Sequence, residues 1–395
     1  MQPADRIATF KPYYFAQVGR QIRQMQAQGR AVVRMDMGAP DLPPPDFVIA
    51  ALVDAARRPD RHSYQPYGGT PAYKEAWAAY YARRFGVTLD PDTQVVGLIG
   101  SKEGIFHLTQ ALVNPGDVVL VPDPGYPVYT AAARIAGAQV VTMPLRAEND
   151  FFPDLRAIPE TVARRARLLW LNYPNNPTGA TASLEQLAAA VDFARRYDIL
   201  LAHDAPYVDV VLDERAPRPP SVLQVPGAVE VGVEFNSLSK RANMAGWRLG
   251  AAVGQAQALR YLFLYKSQVD SSTFGPLMDA AALALNDPRM EPWLQERNRV
   301  YRERRDLILA ALDALDLHAR PPAAGLYVWA RLPQGLDSLT FCQDLLQQYG
   351  VSWAPGRVFG EYGEGYVRIS LGTATDAVRA ALARLQAGRE AYASG

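Results

Sequence analysis

One cysteine, Cys342, and four histidines are nearly all that this 395-residue chain offers to a soft metal or a disulfide. A lone cysteine excludes an internal disulfide and any thiolate cluster. The histidines, His62, His107, His203 and His318, share no ligand spacing, so no metal site is expected. An apolar run of membrane-spanning length is missing. The stretch from Met1 to Arg6 also lacks the apolar core of a signal peptide. An excess of either charge is missing too. The 41 basic and 40 acidic residues leave a net charge of +1, which provides no electrostatic reason to expect nucleic acid or an anionic membrane as partner. No internal repeat and no low-complexity tail interrupts the chain. Together these absences point to a soluble, cytoplasmic protein.

Lysine is scarce as well: five lysines stand against 36 arginines. Surface charge is therefore carried by arginine, and a lysine among small hydroxyl residues calls for a reason. Lys240 is that lysine, closing the run Asn236-Ser237-Leu238-Ser239-Lys240. Arginine stays protonated, whereas a lysine amine can lose its proton and attack a carbonyl. The chemistry that needs this is Schiff-base formation with an aldehyde cofactor, pyridoxal 5'-phosphate. A solvated loop lysine is the alternative, and the rest of the chain must decide between them.

At this length two domains are the default, and the 49% hydrophobic content leaves ample apolar surface to bury. Apolar runs rich in β-branched residues alternate with helical patterns through the middle of the chain. Strands are expected at 95–99, 118–121, 139–141, 168–171, 199–202 and 229–235. Helices are expected at about 105–113 and at 183–197, the latter with a serine N-cap and Glu185 in its first turn. This βαβ alternation argues for an α/β fold with a mostly parallel, doubly wound sheet. After about residue 285 the pattern changes to a long charged amphipathic helix (289–315), strands at 326–330 and 366–369, and a final helix at 376–391. The expected division is an N-terminal segment (1–45) packing on a smaller C-terminal α+β domain (286–395), and a large domain (46–285).

Several polar residues stand at the ends of these strands, where open α/β sheets place their ligands. Gly100-Ser101-Lys102-Glu103-Gly104 lies between a strand and a helix, where free N–H groups and the helix dipole favour an anion. Tyr126 follows Pro122-Asp123-Pro124-Gly125 and can either pack in a turn or stack on a planar ring. Asn175-Asn176-Pro177-Thr178-Gly179 is either turn chemistry or a pair of amides aimed at a ligand. Asp204 ends an apolar strand, and a buried carboxylate there is costly unless paired; a protonated pyridine nitrogen is a suitable partner. Tyr207, three residues on, can offer its phenol to a ring oxygen. Arg248 suits bidentate binding of a phosphate. Arg368 alternates with apolar residues on a strand; it is an edge charge if it faces outward and a carboxylate fork if it faces inward.

In this order along the chain, these residues resemble those of fold type I pyridoxal-phosphate enzymes, the class I/II aminotransferases. The likeness runs from Gly38-Ala39-Pro40-Asp41 to the Arg368 strand. Within that superfamily the chain is most similar to the LL-diaminopimelate aminotransferase group. The subgroup likeness rests on Leu98-Ile99-Gly100-Ser101-Lys102-Glu103-Gly104-Ile105, Asp123-Pro124-Gly125-Tyr126-Pro127-Val128-Tyr129 and Leu171-Asn172-Tyr173-Pro174-Asn175-Asn176-Pro177-Thr178-Gly179. Alanine, aspartate and related transaminases share much of it.

The resemblance implies a PLP-dependent transferase fold of type I and a set of roles. Lys240 would carry the cofactor covalently and move the substrate proton. Asp204 would pair with the pyridine nitrogen, Asn176 and Tyr207 with the ring hydroxyl, and Tyr126 would stack on the ring. Ser101, Lys102, Ser237, Ser239 and Arg248 would hold the phosphate. Arg368, with Gly38 and Asn176, would bind the substrate, Arg368 taking its α-carboxylate. Tyr64 matches a tyrosine that reaches the phosphate from the partner subunit, so a homodimer with shared sites is implied. The implied reaction moves an amino group from an L-amino acid, such as LL-diaminopimelate or a dicarboxylic amino acid, to a 2-oxo acid such as 2-oxoglutarate. The chain departs from the subgroup at Ala39, Pro206 and Arg241-Ala242, the last in place of the more usual Thr-Tyr. These departures leave the cofactor in place and open the substrate. An aspartate- or alanine-type aminotransferase, or a carbon–sulfur lyase on the same scaffold, is the alternative.

Overall fold

Runs rich in β-branched residues become central strands where helices can cover both faces of a sheet. The computed structural model describes residues 1–8, 10 and 12–393. Its strands, in chain order, are β1 (Val33–Arg34), β2 (Val95–Leu98), β3 (Val118–Asp123), β4 (Gln139–Pro144), β5 (Ala166–Asn172), β6 (Leu200–Asp204), β7 (Gly232–Ser237), β8 (Gly250–Gly254), β9 (His318–Ala319), β10 (Tyr327–Arg331), β11 (Val351–Ser352), β12 (Ala354–Pro355) and β13 (Tyr366–Ser370).

Seven of them form one sheet in the order β2-β8-β7-β6-β5-β3-β4. All run parallel except β8, which is antiparallel to both β2 and β7. Strand β5 shows why the sheet is buried on both sides. Leu169 and Leu171 join one apolar core, while Leu168 and Trp170 join the core on the opposite face. A second sheet, β12-β13-β10-β9, is antiparallel throughout. Its apolar side, with Val328, Ala330, Val367 and Ile369, packs with Ile308 and Leu312 of the helix Met290–Ala314 into a separate core. The N-terminal stretch joins this side of the molecule: β1 pairs in parallel with β11, and Ile22 packs with Leu346.

Three local expectations need correction. The helix placed at about 105–113 begins earlier, at Ser101, and runs to Leu112. Gly100 takes φ 77° at its N-cap, and Glu103 turns back to accept the Ile99 N–H at 2.7 Å. The segment 229–235 is not one strand. Gly227, at φ 72°, opens a 3-10 turn over Ala228–Glu230, and the strand starts only at Gly232. Strand β8 was not expected, because Gly-Ala-Ala-Val-Gly carries little β signature. Its small residues suit its central position: a Cβ on Gly250 would lie 2.7 Å from the Asn236 carbonyl oxygen.

Candidate active site

The carboxyl ends of β5, β6 and β7 open onto a cavity of about 380 Å³. Parallel register aligns Asn172 of β5 with Asp204 of β6, and the Asn172 amide donates to the Asp204 carbonyl at 2.7 Å. The Asn172 side-chain oxygen in turn accepts the Asn176 N–H at 2.8 Å, holding the Pro-Asn loop against the strand end. The Asp204 side chain is buried. Its Oδ2 accepts from the Tyr129 hydroxyl at 2.7 Å, while Oδ1 has no partner. Burial pushes this carboxyl up to about 6; the Tyr129 hydrogen bond and then the charges of His203 and Lys240 oppose the shift. A buried carboxylate oxygen without a donor, facing a ligand-sized cavity, fits a protonated ring nitrogen.

Lys240 lies on the one-turn helix Leu238–Arg241 that follows β7 directly. Its Nζ donates to the Gly38 carbonyl. Burial, reinforced by the positive charges of Arg368 and Arg248, brings the amine down to about 8, with Asp204 pulling the other way. About a tenth of the amine is then neutral at pH 7, the form that nucleophilic attack requires.

At the anion end, Ser101 and Lys102 open the helix Ser101–Leu112, whose first N–H groups are free. Arg248 closes over this turn. It adopts φ 59°, and its guanidinium donates to the Ala245 carbonyl at 2.9 Å and the Ile99 carbonyl at 3.4 Å. Gly100 sits at φ 77°, which side chains rarely adopt, and a Cβ there would lie 2.1 Å from Arg248 Nη2 and push the guanidinium aside. Ser237 and Ser239 line the same end, the Ser237 hydroxyl accepting the Ser239 N–H at 3.1 Å. Lys102 Nζ sits 5.6 Å from the Tyr13 ring centroid and 5.9 Å from that of Tyr126. Burial, then Arg248, holds this amine below its ordinary value.

Arg368 faces inward from β13 and is 3% exposed. Its Nη1 donates to Asn176 Oδ1 at 2.8 Å and its Nη2 to the Asp36 carbonyl at 2.7 Å, while Nε is buried without a partner. The rings of Tyr327, Phe359 and Phe15 surround it with centroids at 4.3, 4.6 and 5.4 Å. Tyr207 and Tyr327 share a hydroxyl–hydroxyl hydrogen bond of 2.8 Å. Burial, and then the neighbouring Tyr327, keeps the Tyr207 phenol protonated and able to donate.

The cavity thus collects Gly38, Ser101, Lys102, Tyr126, Asn176, Asp204, Tyr207, Ser237, Ser239, Lys240, Arg248 and Arg368. Four cations, Lys102, Lys240, Arg248 and Arg368, face one carboxylate, an arrangement that suits a doubly anionic guest. Tyr64 stands apart: it is 85% exposed and does not line the cavity of its own chain. Sequence reasoning missed Tyr129, Asn172 and Tyr327. Tyr129 was detectable as the aromatic three residues beyond Tyr126 in the same motif; Asn172 and Tyr327 become visible only through the contacts they make with Asp204 and Tyr207. Among the described residues, one acidic–histidine cluster, Glu103, His107 and Asp270, has the spacing of a metal site. Its cation place is taken by the ammonium of Lys266, 2.8 Å from Glu103 and paired with Asp270.

A family model described as aminotransferase class I and II matches residues 30–385. The chain belongs to the class I and II aminotransferases. These enzymes use pyridoxal 5'-phosphate, and this chain is a pyridoxal-phosphate-dependent aminotransferase of the type I fold. It is 46% identical over 386 residues to an LL-diaminopimelate aminotransferase of Moorella thermoacetica, covering 98% of each chain. It is 49% identical over 383 residues to one of Desulforudis audaxviator, covering 97% of each. In three dimensions it matches substrate-bound BacF of Bacillus subtilis with a TM-score of 0.92 at 38% identity, over 98% of this chain and 97% of that one. Among the described residues no helix of this aminotransferase is long and apolar enough to cross a membrane.

Proposed function

We propose that this aminotransferase takes the amino group of LL-diaminopimelate and passes it to 2-oxoglutarate in two half-reactions. The observation that carries the reading is the convergence of Lys240, the unpaired Asp204 Oδ1 and the inward-facing Arg368 on one cavity. The substrate rests on the relatives of that name, 46% and 49% identical over almost the whole chain. Arg368 offers a fork to the α-carboxylate that such a donor carries.

In this reading Asp204 holds the pyridine nitrogen of the cofactor through its free Oδ1. Tyr207 donates its phenol to the ring hydroxyl. Asn176 does so through its amide nitrogen, since its oxygen is engaged by Arg368. Ser101, Lys102, Ser237, Ser239 and Arg248 cradle the phosphate, and Tyr126 lies against the ring. When bound, pyridoxal phosphate supplies an electron sink for the pair left at the substrate α-carbon. Lys240 would anchor the cofactor and, as a free amine, would carry the proton from the substrate α-carbon to the cofactor. Arg368 would bind the α-carboxylate and so orient the substrate α-carbon. Its planar fork is held in one orientation by Asn176 and the Asp36 carbonyl.

The same reading makes the protein a cytoplasmic homodimer, with residues 46–285 as the large domain, 286–395 as the small one and 1–45 packed on the latter. Exposed Tyr64, Tyr67, Phe263 and Phe274 support a second copy as the partner. A Cβ on Gly68, next to Tyr67, would lie 3.3 Å from Phe263, and the Phe274 ring lies 5.7 Å from that of His62, two residues before Tyr64. Tyr64 of each chain would then complete the neighbouring phosphate cradle.

The test is a panel of amino donors with 2-oxoglutarate: LL-diaminopimelate, aspartate, alanine and aromatic amino acids. LL-diaminopimelate should give the highest kcat/KM by at least about tenfold. A preference for aspartate, alanine or an aromatic donor would overturn the substrate. Release of pyruvate and ammonia without an acceptor would point to lyase chemistry instead.

A further inference from the structure

The turn that carries Lys240 is held from behind by one distant side chain. The one-turn helix Leu238–Arg241 ends with carbonyls that have no partner inside it. Arg297, on the helix Met290–Ala314, reaches them. Its Nη1 donates to the Lys240 carbonyl at 2.6 Å and the Arg241 carbonyl at 2.5 Å, and its Nη2 donates to the Asp209 carbonyl at 2.7 Å. The Asn298 side-chain oxygen takes the remaining N–H groups, from Nε at 3.1 Å and Nη2 at 2.8 Å. The Asn298 amide then donates to the same Asp209 carbonyl at 3.1 Å.

Asp209 lies in the loop that begins with Asp204 and Tyr207. This guanidinium therefore ties the loop bearing the pyridine partner to the turn bearing the anchor lysine. A side-chain tie runs in parallel. Arg241 pairs with the Asp209 carboxylate, which also accepts from Tyr80 at 2.7 Å and Arg84 at 3.1 Å. Among the described residues Arg297 itself has no carboxylate in ion-pair contact, yet it is only 2% exposed. A buried cation without a counter-ion is costly, and neutral side chains could fill this volume. What neutral residues lack is a rigid plane of five donors matched to three backbone carbonyls and one amide.

We propose that Arg297 is a positioning residue for transamination. It sets the register of Lys240 against Asp204 and Tyr207, so that anchor and pyridine partner meet opposite ends of one ring. This rests on the reading of Lys240 as the covalent anchor. The test compares wild type, Arg297→Lys and Asn298→Ala as cofactor-loaded enzymes. Arg297→Lys keeps the charge but cannot span the carbonyls. It should lose at least about tenfold in kcat and leave KM for 2-oxoglutarate within about threefold, because Arg368 is untouched. Its visible circular dichroism per bound cofactor, which reports ring orientation, should fall by about half or more. Asn298→Ala is the milder variant in case Arg297→Lys does not fold, and should move both readouts the same way. A folded variant with wild-type ellipticity and kcat would overturn the inference, even if its melting temperature had dropped. Borohydride reduction of the wild type separates the two layers. No adduct on Lys240 would sink the anchor assignment and this inference with it, whereas a normal adduct with unmoved variants would sink the inference alone.

Discussion

Asp204 is predicted to weaken the protein that it equips. In the cofactor-free state its carboxyl sits at about 6, against an ordinary 3.8. Between these values the folded chain binds more protons than the unfolded one, so stability falls as pH rises through the window. Below about pH 4 both states are protonated and the term vanishes; above about pH 6 it is complete. A shift of about two units corresponds to about 3 kcal/mol. Asp204→Asn removes the charge and keeps an acceptor for Tyr129. The cofactor-free variant should therefore be more stable than cofactor-free wild type by about 3 kcal/mol at pH 7 to 8, a rise of about 4 °C in Tm for a chain this long. The advantage should fade by about pH 4. Thermal melts of both cofactor-free proteins from pH 4 to 8, at equal concentration, measure it. Added pyridoxal phosphate should reverse the order, because the wild-type carboxylate then gains a cationic partner. Parallel pH profiles for the two cofactor-free proteins would refute the reasoning.

Three further predictions concern single groups. Lys240→Ala should abolish turnover and the visible absorption of the lysine-bound cofactor; retained activity at a hundredth of wild type or more would remove Lys240 from the mechanism. Arg368→Lys should raise KM for both substrates by about tenfold or more, since an ammonium loses the fork and one of its two fixed hydrogen bonds; unchanged steady-state kinetics would place carboxylate binding elsewhere. Gly100→Ala should weaken cofactor affinity by about tenfold or more, because residue 100 sits at φ 77° and its Cβ would displace the Arg248 guanidinium; titration of the cofactor-free variant with pyridoxal phosphate tests this, and an unaltered Kd would mean that Arg248 is not needed for the cradle.

Much of the site around Lys240 is legible in the sequence for a physical reason. In a doubly wound sheet, strands are apolar on both faces, so a polar residue at a strand's carboxyl end stands out in one dimension. Asp204 after Leu200–Leu201–Ala202 is such a residue, while Arg368 stands out differently, as a charge alternating with Val367 and Ile369 in the middle of β13 of the antiparallel sheet. Residue type then narrows the chemistry: one lysine among serines, in a chain that otherwise uses arginine, announces a need for an amine that can lose its proton. Strand β8 escaped because glycine and alanine carry no strand pattern, and the helix expected from about residue 105 starts earlier, at Ser101, because its first turn holds no apolar residue.

Pairing was a different matter. That Tyr129, three residues past Tyr126, holds Asp204 Oδ2 depends on how the helix Val128–Ile135 packs beside the sheet. That Asn172 braces both Asp204 and Asn176 depends on a register between strands separated by more than thirty residues. Arg368 could have been a solvated edge charge, and only the placement of β13 beside the loop that follows β5 brought it to Asn176. Arg297 lies 57 residues beyond Lys240 and shares no motif with it. Residue chemistry and strand-end position, both one-dimensional properties, were enough to indicate the cofactor and the reaction class. Which atoms are free to meet a ligand, and which are already spent on one another, was decided by the packed chain, because a hydrogen bond is a fact about distance.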